Sequence, residues 1–179
     1  IKTQVTKRNY HELDKIKDFV ESLGMKFNPN CMLFARLNGD ISPCELRLPP
    51  EKVLEISDRF KLDALYNDEF TKPKPLINTV RSNLFFDDNI FRCSIGYDVF
   101  HISPYGEMFL CTPTRKPKID LLSQEIEDGF NLFKQIRREK FKTGSRCKNC
   151  SFWYFCYRCA GKALLETGNI ESPIDYFCN

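Results

Sequence analysis

At 179 residues, with 42% hydrophobic and 28% charged residues, the chain can bury a core in one domain or two small ones. Its net charge of +3 is spread without a long basic run, which points away from nucleic acid, and no stretch approaches a membrane span. Nine cysteines, an odd number, in a chain whose first residues carry no apolar signal region, favour metal ligation or redox chemistry in a reducing cytoplasm over a disulfide framework.

Residues 1–83 read as alternating strands and helices. Ile1–Thr6 is a short strand. Asn9 and Glu12 form a capping pair ahead of a helix whose apolar face is Leu13, Ile16, Phe19, Val20 and Leu23, and Gly24 closes it. Met25 opens a second strand, which continues extended through Met32–Leu37. Pro49-Pro50 starts a second helix with Val53, Ile56 and Phe60 on one face. A βαβα order favours a parallel sheet with right-handed crossovers. Two parallel strands alone leave open edges, so this region is expected to be the closing part of a larger α/β domain. Cys31 and Cys44 have no ligand spacing between them and read as small hydrophobes without a chemical role. Lys61 to Leu84 is a mixed connector, and Lys72-Pro-Lys-Pro75 within it reads as an extended link.

Residues 84–179 differ in character. Val99–Ser103 and Met108–Cys111 read as a β-hairpin around Pro104-Tyr-Gly-Glu107, with Cys93 entering it and Cys111 ending it. Ile126, Phe130, Phe133 and Ile136 mark an amphipathic helix that runs into Arg137-Arg-Glu-Lys140 and stops near Gly144. Ala160–Glu166 forms a short helix ended by Gly168. His11 and His101 read as structural, because neither has a partner at metal spacing.

The chemistry lies in the cysteines. Cys147, Cys150, Cys156 and Cys159 fall within thirteen residues at gaps of two, five and two, and Cys178 follows. A core does not need that pattern; a thiolate-bound metal centre does. Phe152, Trp153, Tyr154 and Phe155 fill the central gap and read as a shield against water, since a base-stacking platform would interleave basic residues. Spacing alone leaves zinc and iron–sulfur open. A zinc ribbon usually places about 15 to 20 residues between its pairs. One zinc would use four of the seven cysteines at 93, 111, 147, 150, 156, 159 and 178, whereas two cubane clusters would use them all.

These residues resemble the C-terminal half of radical S-adenosylmethionine (SAM) enzymes that carry a SPASM domain, the module with twin auxiliary iron–sulfur clusters. Cys93, twelve residues, Gly106, four residues and Cys111 follow the opening of the family's pattern. Cys147, Cys150 and Cys156 follow its gaps of two and five, and Cys178 stands for its last cysteine. The departure is the gap of two between Cys156 and Cys159, where the family has three. Val5-Thr-Lys-Arg-Asn9, the helix after it and Leu23-Gly24 are similar to the closing βα units of the family's SAM-binding partial barrel.

The resemblance implies the last βα units of a partial (β/α) barrel at 1–83, then a small cysteine-rich domain with a β-hairpin and short helices at 84–179. It assigns Cys147, Cys150, Cys156 and Cys178 to one auxiliary [4Fe-4S] cluster, and Cys93, Cys111 and Cys159 to the other. The carboxylates Asp87 and Asp88, where some relatives place a further ligand, read as solvated. This leaves the fourth position of the Cys93 cluster open to substrate or solvent. Arg92, Arg146, Lys148 and Arg158 beside these ligands are either counter-charges for the clusters or ordinary surface cations. No cysteine triplet spaced three and two apart, the family's SAM-cluster motif, occurs in the chain. The expectation is therefore a fragment of a radical SAM maturase, an oxidoreductase that modifies a peptide or protein substrate. The fragment is inactive alone, with SAM and a third cluster belonging to the longer parent and an electron donor or acceptor protein as a further partner. A structural zinc module and a stand-alone iron–sulfur electron carrier are the competing readings.

Overall fold

The computed structural model describes residues 1–60, 89–93, 95–97, 99–152, 156 and 158–178. It divides into two compact units, Ile1–Arg36 with Asp40–Lys74, and Pro75–Cys178 with Leu37–Gly39. The expected boundary at 83/84, the Lys72–Pro75 link, Asp87, Asp88 and three of the four aromatic residues at 152–155 lie outside the described residues. No described helix is long and apolar enough to cross a membrane.

In the first unit, β1 (Lys2–Gln4) and β2 (Asn28–Asn30) pair in parallel, with α1 (Leu13–Ser22) as the connection between them. Leu13 and Val20 are buried and Ile16 packs beside them, the spacing of one helical stripe. Phe19 and Leu23, expected on that face, are 63% and 51% exposed. Phe19 falls at the edge of the stripe, and Leu23 comes after the last helical residue. Gly24, at φ 69°, then closes the helix: its amide donates to Glu21 at 2.9 Å and the Met25 amide to Val20 at 3.2 Å. This is a Schellman closure, in which glycine bears the left-handed turn without a Cβ clash.

Two local expectations give way to side-chain chemistry. Asn9 does not cap with Glu12; its Oδ1 accepts the Thr6 amide at 2.8 Å and its Nδ2 donates to the Gln4 carbonyl at 2.9 Å. The side chain is spent on the strand exit. Met32–Leu37 is not a strand either. Asn30 Oδ1 takes the Met32 amide, and the buried Arg47 guanidinium donates to the Leu33 carbonyl from Nε at 3.1 Å and Nη2 at 2.8 Å. Local side-chain bonds of this kind compete with a β ladder. Beyond that loop, α2 (Pro50–Phe60) sets Ile56 into a core of Val5, Leu13, Val20, Phe27, Cys31 and Leu48. Each large apolar side chain so buried contributes about 1.5–3 kcal/mol.

The second unit is built on an antiparallel meander, β3 (His101–Ile102), β4 (Glu107–Phe109) and β5 (Lys118–Asp120). The β3–β4 turn closes through Ser103 to Glu107 at 2.9 Å, with Gly106 at φ 79°. β5 has no counterpart in the sequence reading. It contributes a single buried apolar residue, Ile119, which is too little to show a period of two. α3 (Ile126–Arg137) lays Phe133 and Ile136 on this sheet. Gly129 permits the approach, since a Cβ there would meet Met108 Sδ at 2.3 Å.

The α3 helix stops at Arg137 rather than near Gly144. The Glu139 carbonyl is taken by the Ile90 amide at 2.9 Å, and Asn89 bridges antiparallel to Lys140. A backbone pairing across the chain thus ends the helix and anchors the segment leading to Cys93. Ile90, Phe91, Met108, Leu110, Phe133 and Phe141 form the centre of this core, with Cys147 and Ala160 at its border. The last helix, α4 (Ala160–Thr167), ends at Gly168, φ 73°.

Candidate metal centre

Cys93, Cys111 and Cys159 reach one place from three separate elements. Cys93 follows the Ile90–Phe91 segment, Cys111 follows β4, and Cys159 is the residue immediately before α4. Together they line a cavity of about 330 Å³ whose wall also includes Phe91, Ile95 and His101. Cys111 is buried, Cys159 half-buried and Cys93 exposed. Cys159 is the N-cap residue of α4 and its carbonyl accepts the Ala163 amide at 2.9 Å.

Two features hold the walls together. The Thr114 amide donates to the Cys111 carbonyl at 3.0 Å and turns the chain back after β4. Gly161, in the first turn of α4, lets the helix press onto this turn. A Cβ there would meet Thr114 Oγ1 at 2.6 Å, Pro113 Cβ at 2.8 Å and Cys111 Sγ at 3.6 Å. Burial pushes the Cys111 thiol above its ordinary value; Thr114 opposes the shift, and neighbouring Cys159 and Cys93 add to it. A bound metal reverses that balance.

His101 belongs to this wall, although its sequence context suggested only a structural role. Its ring stacks on Phe109 with centroids 5.9 Å apart and planes at 4°. Its Nδ1 stands 3.5 Å from Thr112 Oγ1. The signal that places it there is register rather than spacing: His101 pairs with Phe109 across the hairpin, two residues short of Cys111.

The remaining thiols are less converged. Cys147 is buried, Cys156 half-buried, and Cys150 and Cys178 are exposed. Cys150 ends the turn that starts at Cys147, its amide donating to the Cys147 carbonyl at 3.4 Å. Burial raises the Cys178 thiol and the Arg146 charge opposes it, with Cys147 and Cys156 also within electrostatic reach. Phe152, read as part of an aromatic shield, is 71% exposed.

Two side chains that carry no metal-ligand signal organise this region. The buried Glu171 accepts the Lys142 and Thr143 amides and the Thr143 hydroxyl, while Ser145 Oγ donates to its carbonyl at 2.6 Å. Ser145 Oγ in turn takes the Cys147 amide at 3.3 Å. Arg158 donates from Nε to the Ser172 carbonyl at 3.1 Å and from Nη2 to the Ile170 carbonyl, and it lies over the Phe141 ring. Burial lowers the Arg158 pKa, and the thiols of Cys147, Cys159 and Cys156 act the other way. Arg158 is therefore a cation set among thiols. Of the other basic residues beside the cysteines, Arg146 pairs with Asp175 at the surface and Lys148 is exposed.

Among the described residues, no three His, Cys, Asp or Glu side chains converge as the ligands of a single ion would. No model of a known protein family matches the chain, and no curated protein sequence does.

Proposed function

We propose that this chain carries the auxiliary iron–sulfur centres of a radical SAM enzyme that modifies a peptide or protein side chain. The observation that supports it most is the grouping of Cys93, Cys111 and Cys159 around one cavity. Spacing alone would pair Cys159 with Cys156; the resemblance instead joins it to two cysteines far upstream, and all three line the same wall.

The donor set fits the group. A cubane spreads its thiolates over separate irons, so its ligands stand further apart than those of one zinc ion. The three thiols that line the cavity are the donor type that such a cluster takes. Gly161 seats α4 closely on the Cys111 turn, and the cavity wall includes the apolar Phe91 and Ile95. Cys147, Cys150, Cys156 and Cys178 are the residues that would hold the second centre. When bound, such clusters supply one-electron chemistry. The protein's part is to shield them and, through Arg158, to place a positive charge beside the thiolates.

Anaerobic reconstitution with iron and sulfide tests the reading. A brown protein holding about eight irons with matching sulfide is the expected result. Tight uptake of one zinc, with no stable iron or sulfide, would replace it with a structural metal module.

A further inference from the structure

We infer that His101 supplies the fourth protein ligand of the Cys93–Cys111–Cys159 centre, giving it three thiolates and one imidazole. This rests on the iron–sulfur reading above but goes beyond it, because the cysteine pattern leaves that centre one ligand short.

Three observations carry the assignment. His101 lines the same cavity as the three thiols. Its ring lies parallel to the Phe109 ring, at 4° with centroids 5.9 Å apart, an offset contact that restricts the plane in which a lone pair is presented. Its Nδ1 is turned to the Thr112 hydroxyl at 3.5 Å, leaving Nε2 as the nitrogen available to a metal. A ligating imidazole characteristically has its other nitrogen held by a polar group, which sets the tautomer and the ring orientation. Thr112 is placed to do this from the turn that also carries Cys111. Mixed Cys and His ligation is established iron–sulfur chemistry, and it raises the potential relative to an all-thiolate centre.

The chain contains two histidines, His11 and His101, so nitrogen labelling is close to residue-specific. The full-length chain, labelled with ¹⁵N-histidine, is reconstituted anaerobically, reduced and examined by pulsed electron paramagnetic resonance. The expected result is a nitrogen coupling of directly bonded size that changes isotope pattern on labelling. It should survive H11Q and disappear in H101Q. H101C should restore full ligation and lower the potential of this centre. T112V should keep the coupling but release iron to a chelator about tenfold faster.

The wild-type spectrum needs no variant to fold. A chain that binds iron and sulfide yet shows no histidine nitrogen coupling overturns this assignment and leaves the iron–sulfur reading intact. A coupling that persists in H101Q does the same. A chain that takes up no cluster removes both.

Discussion

The Glu171 carboxylate accepts the amide and the hydroxyl of Thr143 at 2.8 and 2.7 Å, tying the loop before Cys147 to the segment that ends at Cys178. These hydrogen bonds, the Thr143 hydroxyl first, hold the carboxyl below its ordinary value, with burial acting against them. A depressed carboxylate contributes stability that is complete above the unfolded value of about 4.3 and is lost as pH falls through the lower folded value. Glu171→Gln turns an amide NH₂ toward donors and should melt below wild type near neutral pH. The gap between the two melting curves should close as the pH approaches 3. A gap that stays constant or widens in acid would show that Glu171 is not acting as a charged acceptor.

The cysteines should separate into groups by iron content. Serine at Cys93, Cys111 or Cys159 should remove about four irons and leave the other centre, and serine at Cys147, Cys156 or Cys178 should do the reverse. Cys31 is buried in the first unit's core with its thiol raised by that burial, so Cys31→Ser should cost stability and no iron. If loss of Cys159 empties the Cys147 group instead, the grouping around the cavity is wrong.

Glycines offer a test that changes no ligand. Gly161→Ala drives a Cβ to 2.8 Å from Pro113 and 2.6 Å from Thr114, against a turn that has little room to yield. It should cost about 1–3 kcal/mol and also loosen iron at the Cys111 centre. Gly129→Ala meets Met108 Sδ at 2.3 Å, and no cysteine atom is among its nearest neighbours. It should lower the melting temperature while leaving iron content unchanged. Gly144→Ala, where nothing lies within 4 Å of the added methyl, should do neither. Thermal melts paired with iron assays separate the three.

What could be read from the sequence depended on how local the signal was. The helices announce themselves through stripes such as Leu13 with Val20 and Phe133 with Ile136, and Gly24 and Gly168 mark two ends where the left-handed conformation is needed. The hairpin is legible from its turn. The strand at Lys118–Asp120 is not, because its only pattern is Ile119 and its existence depends on the β4 edge it pairs with. Met32–Leu37 looked extended because a run of apolar residues carries no trace of Arg47, which arrives later in the chain to bind Leu33. The same limit applies at the candidate site. Cysteine spacing marked the candidate ligands, but spacing cannot bring His101 to the cavity or Glu171 to the Cys147 loop. Those depend on strand register and on a turn closed across the chain.

Arg158 allows charge and geometry to be told apart. Its guanidinium spans two carbonyls, Ile170 and Ser172, while lying among the thiols of Cys147, Cys156 and Cys159. A lysine keeps the positive charge but cannot donate to two carbonyls from a planar fork, so Arg158→Lys should cost about 1–3 kcal/mol. Arg158→Gln should destabilise by a similar amount, and it also removes the cation. A nearby positive charge favours the more negative, reduced state of a thiolate-ligated cluster. The potential of the reconstituted protein should therefore fall more in Arg158→Gln than in Arg158→Lys, although both are weakened in the same place. Protein-film voltammetry on the two variants measures this directly. Equal potentials alongside equal losses of stability would make Arg158 a brace for the Ile170–Ser172 loop and nothing more.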